Sequence, residues 1–245
     1  MSFVVLFLAA LWAGVQNALA GGGSFITLPS LMLTGMDARA ANITSTLALF
    51  PGQLASGWTG RKQVSGASEL SFRALVIISL VGGALGALLL LSTPPTFFAH
   101  LLPWLVLFAT ALFAWGSFGR KRATPRPLHR FGAAAAQFAI SIYGGYFGGG
   151  IGFLMLAALT AAGLAIRNAS ATKNVLAGVM NASAVAIFVF TAGLDWRRIA
   201  IVAVGAILGG ILGGLMLKRV NETALRIVVV VIGVALTIGL FLKAR

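Results

Sequence analysis

Tyr143–Phe153 reads YGGYFGGGIGF, so six of eleven positions are glycine in a chain that is 59% hydrophobic and only 9% charged. Such a composition, with a mean hydropathy of +1.00 and no long polar stretch, describes a polytopic membrane protein. Inside lipid an unpaired backbone group costs several kcal/mol, so a chain leaves helical geometry only where protein or a water-lined cavity satisfies it. Glycine permits that break and lets backbone come close to a ligand. The stretch therefore reads as an interruption at mid-membrane depth that exposes backbone N–H groups, and a free helix N-terminus attracts anions.

Working outward, ten apolar segments run roughly 2–20, 24–34, 38–60, 71–92, 96–118, 131–147, 151–163, 168–192, 197–217 and 222–242. RKRATPRPLHR, residues 120–130, divides them five and five and carries five Lys or Arg and no acid. The positive-inside rule makes this linker cytoplasmic, with Arg61 and Lys62 on the same side. We expect an all-α membrane domain with a first repeat over 1–119, the basic linker, and a second repeat over 131–245. The formal charge of +14 falls mostly between apolar segments, where cations set orientation and meet anionic membrane lipid, so nucleic acid is not an expected partner. The first twenty residues imitate a signal peptide ending in Ala18-Leu19-Ala20, but no cation precedes the apolar run, and we expect the segment to be retained.

The two halves are related. At an offset of 128 residues, Gly21, Gly22, Phe25, Leu28, Leu31, Gly35, Arg39, Ala41 and Thr44 fall on Gly149, Gly150, Phe153, Leu156, Leu159, Gly163, Arg167, Ala169 and Thr172. Gly82 and Gly86 fall on Gly210 and Gly214. Internal duplication is a habit of transporter folds, and paired interrupted segments point to the substrate site. If the short segments two and seven count as crossings, five crossings per half invert the second half; if they are re-entrant stubs, the halves are parallel. Loop charges do not decide, because Arg197-Arg198 and Lys218-Arg219 lie on successive loops. Inverted repeats are the expectation.

Polar residues cluster at the breaks. Around Gly21–Gly23 stand Gln16, Asn17, Gly22, Gly23, Ser24, Asn42, Thr44, Ser45, Thr46 and Gln53. Around Gly148–Gly150 stand Tyr143, Tyr146, Gly149, Gly150, Thr172, Lys173, Asn174, Asn181 and Ser183. Lys173 lies inside segment eight with no carboxylate nearby in sequence, and an ionisable group at membrane depth is a functional candidate; snorkelling to the interface is the alternative. Arg39 and Arg167 are repeat-related cations at the entrances of segments three and eight. Asp37, Glu69, Asp195 and Glu222 all fall in or beside loops, which leaves no buried carboxylate for a proton relay or a sodium ion. An anion is the natural cargo.

GGGSFITLPSLMLTGMDARAANITST, repeated as GGGIGFLMLAALTAAGLAIRNASATKN, resembles the TauE/SafE family of sulfite and organosulfonate exporters, over nearly the whole chain. Ala157 stands where the first half has Pro29. The resemblance implies a multi-pass protein of the bacterial inner membrane that exports sulfite or a small organosulfonate and needs no cofactor. An anion channel and an exporter of small carboxylates are alternatives. An intramembrane serine protease is disfavoured, because Ser24 and Ser68 have no buried histidine companion and His100 and His129 lie at segment edges. With no cysteine, thiolate metal sites are excluded, and no metal is expected. The small-residue faces at Gly82-Gly86 and Gly205-Gly209-Gly213 either pack helices within the chain or join a homodimer. N-terminal sequencing of the purified protein is expected to begin ahead of Gly21; a first residue of Gly21 would overturn the retained segment.

Overall fold

The computed structural model describes residues 3–19, 22–118, 128–216 and 222–243. They form ten α-helices: α1 (Phe3–Leu19), α2 (Ser24–Met32), α3 (Ala38–Gly60), α4 (Phe72–Ser92), α5 (Pro95–Phe118), α6 (Arg130–Tyr146), α7 (Ile151–Ala161), α8 (Ile166–Phe188), α9 (Trp196–Met216) and α10 (Glu222–Lys243). The chain is an all-α polytopic membrane protein. Among the described residues, four helices are long and apolar enough to cross a membrane: α4, α5, α8 from Arg167, and α9 as far as Gly213. Its outer surface is apolar, with Leu88, Trp104, Ile211 and Val231 all exposed, as suits helices solvated by acyl chains. Most of the basic linker lies outside the described residues.

Helix starts follow local chemistry. Asp37 is extended and its carboxylate accepts from Ala40 N at 3.0 Å, which sets the start of α3. Ser71 does the same for α4 through Ala74 N at 3.2 Å. Within the bundle, hydroxyls bond back to their own helices, as Ser79 does to Leu75 O and Thr237 to Gly233 O, both at 2.7 Å. Gln137 Nε2 donates to Ser79 Oγ at 2.9 Å and ties α6 to α4 through the dry interior.

The first helix of each sequence half packs along the fourth helix of the other: α1 on α9, and α6 on α4. Both contacts run parallel at glycine faces. Gly205 lies against Phe7 and Ala10, Gly209 against Leu11 and Val15, and Gly213 against Val15 and Ala18. Gly82 lies against Phe138 and Ser141, and Gly86 against Ile142 and Tyr146. These small-residue faces are thus occupied by helices of the same chain. The long helices α3 and α8 pack together antiparallel, with Gly57 beside Asn174 and Gln53 bonded to Asn181. Positive φ angles recur at the 128-residue offset: 78° at Gly22 and 75° at Gly150, 90° at Gly35 and 92° at Gly163.

The loops gather at two ends. At one, Ser68 Oγ donates to Leu128 O at 2.6 Å and to Ala162 O at 3.1 Å, joining the α3–α4 connection to the start of α6 and the end of α7. Ser65 N donates to Thr172 Oγ1 at 3.1 Å beside them, near the start of α8. This end carries Arg61, Lys62, Arg130 and Arg167 and is the basic end. At the opposite end the Arg197 guanidinium sits 4.2 Å over the Phe3 ring, and Arg198 donates to Thr34 O at 3.2 Å. Arg198 also pairs with Asp195 at 2.7 Å, which offsets part of the charge at that end.

These contacts bear on the short segments two and seven, which the sequence left open as crossings or re-entrant stubs, with the segment before each counted as a crossing. Instead, α1 begins and α2 ends at the same end, and α6 begins and α7 ends at the other. Each pair is a re-entrant hairpin with its glycine run at the tip. The 17 residues of α1 and of α6 reach only about 26 Å, short of a hydrocarbon core of about 30 Å. Each half therefore has three helices that run between the two ends and one hairpin.

A side chain at Gly209 would collide with the Leu11 carbonyl. Gly209→Leu is expected to destabilise the protein by about 1–3 kcal/mol, read as a lower melting temperature in detergent. Gly239, which has nothing within reach of an added Cβ, should accept alanine with little change.

Candidate functional site

Between the hairpin tips and the crossed helices α3 and α8 lies a cavity of about 360 Å³. Ten of the residues gathered from sequence around the two breaks line it: Asn17, Gly22, Ser24, Ser45, Thr46, Gln53, Gly150, Lys173, Asn174 and Asn181. Its other walls include Phe113, Leu156, Ser170 and Arg226. Phe113, Leu156, Ser170 and Arg226 belong to the basic-end portions of their helices, so the cavity runs from the tips towards the basic end.

The tip of the second hairpin sets the chemistry. Gly150 caps α7 in the left-handed region at φ 75°, which only glycine adopts without strain, and no side chain caps this terminus. The first turn of α7 is closed by Phe153 N to Gly150 O at 3.1 Å. Among the described residues, nothing accepts from the N–H groups of Gly150, Ile151 or Gly152, and all three residues line the cavity. The α7 N-terminus therefore presents backbone donors and the positive end of the helix dipole to the cavity.

Lys173 extends to the same place. A Cβ built on Gly152 would lie 3.7 Å from Lys173 Nζ, so the ammonium sits over the first turn of α7. Among the described residues, Lys173 has no ion pair or hydrogen bond, and no carboxylate lines the cavity. Lys173 does not snorkel away from the interior; it faces the cavity. A cation beside a helix N-terminus is electrostatically unfavourable, since the dipole there favours anions. An anion placed between the ammonium and the exposed N–H groups relieves both.

Across the cavity Asn181 Nδ2 donates to Gln53 Oε1 at 2.6 Å, joining α8 to α3. In the first half, the position matching Lys173 is Ser45, whose hydroxyl is 2.6 Å from Thr27 Oγ1 and links α3 to α2.

The remaining predicted residues are drawn elsewhere. Asn42 Nδ2 donates to Tyr146 O at 3.0 Å, and the Tyr146 hydroxyl reaches Thr93 Oγ1 at 3.3 Å. Tyr143 is packed edge-on between Phe108 and Phe147, and its hydroxyl donates to Leu105 O at 3.4 Å. Thr172 bonds the α3–α4 connection, and Thr44 is buried away from the cavity. Gln16 Nε2 donates to Gly22 O at 3.3 Å, Gly23 N to Asn17 Oδ1 at 3.5 Å, and Gly149 is buried at the tip behind Phe147; Gln16, Gly23 and Gly149 thus hold the breaks in shape rather than line the cavity. Arg39 donates to Leu91 O at 3.1 Å and Thr93 O at 2.8 Å, closing α3 against the end of α4. Arg167 is exposed and bonds no described residue. Arg39 therefore ties helices together at one end, while its counterpart at the basic end does not.

Sequence reading missed Ser170, Phe113 and Arg226. Ser170 was findable as the partner of Asn42 under the 128-residue offset. Arg226, which also donates to Ser117 O at 3.3 Å, lies far from either glycine run and carries no local signal.

Residues 6–240 match the sequence family described as Sulfite exporter TauE/SafE. The chain is 32% identical over 239 residues to a "Probable membrane transporter protein" of Haemophilus influenzae, covering 95% of this chain and 92% of that one. It is 30% identical to "Probable membrane transporter protein ORF9" of a Sinorhizobium species, over 96% and 90% of the two chains. It is 26% identical to "Probable membrane transporter protein YfcA" of Escherichia coli K12, over 95% and 87%. No solved structure matches. The chain belongs to the TauE/SafE family and is a membrane transporter.

Because the chain has no cysteine, single cysteines report access cleanly. Ser170→Cys, on the cavity wall, is expected to react with a membrane-impermeant thiol reagent applied from the basic end. Asn42→Cys, at the matching buried position, should react at least about tenfold more slowly. Equal labelling of the two would contradict a cavity open to one end only.

Proposed function

We propose that this member of the TauE/SafE family is a secondary transporter that exports a small anion, sulfite or an organosulfonate, across the bacterial inner membrane. The observation that carries the reading is the unpaired Lys173 ammonium over the exposed N-terminus of α7, inside a cavity without a carboxylate among its described walls. The cargo sits there between ammonium, backbone N–H groups and the hydroxyls and amides of Ser24, Ser45 and Asn174.

The antiparallel packing of the repeat-related helices α3 and α8 supports inverted repeats, the arrangement in which one half rocks against the other around a fixed site. With the basic end cytoplasmic by the positive-inside rule, the cavity is open to the cytoplasm and loaded from there. Between the cavity and the opposite end the core is packed. Phe25 and Leu28, the counterparts of the cavity-lining Phe153 and Leu156, are fully buried, as is Phe98, and Arg39 fastens α3 to α4 above them. This closed end favours a carrier over a channel. One charge moving through 100 mV gains about 2.3 kcal/mol, so an interior-negative potential alone supports a roughly fifty-fold outward gradient of a monovalent anion. No coupling ion is required.

In proteoliposomes, sulfite or 2-hydroxyethanesulfonate is expected to show saturable flux with counterflow, accelerated by a potential of the appropriate sign. Lys173→Gln should reduce kcat/KM about ten- to hundredfold, the worth of a hydrogen bond to a charged group, with little loss of melting temperature. Full-rate flux in this variant, or flux indifferent to the imposed potential, would refute the proposal.

A further inference from the structure

Gln53 and Asn181 occupy matching positions of the two halves, 128 residues apart, and meet across the cavity. Asn181 is only 2% exposed. Its Nδ2 is held by Gln53 Oε1 at 2.6 Å, but its Oδ1 is buried with no hydrogen-bond partner among the described residues. Leaving a buried acceptor unpaired costs about 1–3 kcal/mol, and a native site that tolerates this has a use for the atom. Around Lys173 the cavity gathers donors, the ammonium and the N–H groups of Gly150, Ile151 and Gly152, beside the mixed donor and acceptor groups of Ser170 and Asn174. The cavity is therefore lined by a group of donors near Lys173 and, about two turns further along α8, by Asn181, whose amide oxygen is a buried acceptor.

We propose that the Asn181 amide oxygen reads a hydrogen-bond donor on the cargo, so that the preferred substrate is an oxyanion that also carries a hydroxyl or an acid proton. This rests on the anion-transport reading above and narrows it. The anionic head meets Lys173 and the α7 N-terminus, and the donor meets Asn181 Oδ1. A fully deprotonated oxyanion, or one with a methyl group at that point, leaves the amide oxygen unpaired or sets acceptor against acceptor. A site built to bond a substrate hydroxyl discriminates strongly against the analogue lacking it. Gln53 acts as the positioning residue, since its Oε1 holds the amide nitrogen and so leaves the oxygen as the free end of the amide. About 360 Å³ accommodates a sulfonate head with a short hydroxylated tail, at the small end of ligand pockets.

The test compares 2-hydroxyethanesulfonate with propanesulfonate, in which a methyl group replaces the hydroxyl, by calorimetric titration of the detergent-purified full chain. Wild type is expected to bind the hydroxylated anion at least about tenfold more tightly. Asn181→Leu is expected to bring the ratio close to one while still binding propanesulfonate. Should that variant fail to fold, the wild-type ratio alone decides. Equal affinities in wild type, or a preference for propanesulfonate as a reversed amide would give, overturn the inference and leave the anion site standing. Binding that requires sodium, with the requirement lost in Asn181→Leu, makes the oxygen a cation ligand and also overturns it. Failure of wild type to bind either sulfonate overturns this inference, and failure to bind sulfite as well removes the anion reading itself.

Discussion

Everything in this bundle answers to one constraint: a peptide group at mid-membrane depth must find a hydrogen-bond partner or face a polar cavity. Two helical hairpins end there, at Gly22–Gly23 and at Gly148–Gly150. Part of the demand is met locally, by Phe25 N to Gly22 O at 3.0 Å and by Gly148 N to Tyr143 O at 3.5 Å. Side chains from deeper in the bundle meet more of it, as Asn42 does at Tyr146 O. What is left over among the described residues includes the N–H groups at the start of α7, and these are the groups proposed to meet the anion. The site is the unsatisfied remainder of a backbone that has otherwise closed its hydrogen bonds.

The two halves share a plan and differ where the cavity needs them to. Thr27 and Ser45 bond one another in the first half; at the matching positions the second half has Met155 and Lys173, an apolar side chain and a cation with no partner among the described residues. Phe25 and Leu28 are sealed in the core, whereas Phe153 and Leu156 border open space. Arg39 is tied to two carbonyls, whereas Arg167 is loose. These differences all have the same sense. They leave one end accessible and the other packed, although the backbone angles at Gly22 and Gly150 are nearly the same.

Much of this was legible in the residues. α3 was read at its observed bounds, and most other helix ends lie within two residues of the apolar runs, because in lipid the length of an apolar run and the length of a helix answer to the same thickness. Segment eight was read to 192, yet α8 stops at Phe188; apolar Val189 and Phe190 continue the hydrophobic run but lie in a turn, so composition hides the end. The hairpins were hidden for a related reason. A helix that turns back at mid-depth and one that crosses are equally apolar, and only contacts such as Arg198 to Thr34 O separate them. Nearness to glycine in sequence found Lys173, Asn174 and Asn181 but could not tell which way Tyr143, Tyr146 or Thr172 would turn, since helical position fixes a face and packing then selects its partner. Arg226 arrives from α10, where nothing local marks it.

The exchanged packing of α1 on α9 has a consequence for biogenesis. The ribosome delivers α1 first and α9 close to last, so the first hairpin waits through most of translation without the helix that covers its glycine face. A lone re-entrant segment that neither crosses the bilayer nor has its tip enclosed is poorly held by lipid alone. The newborn chain must therefore keep this hairpin beside the insertion machinery or against α3 until the second half emerges, and a chain truncated before residue 196 would lack the surface that α1 is shaped to meet. Maturation of this transporter thus waits on a contact between elements far apart in sequence, and α1 reaches its final place only after α9 has been made.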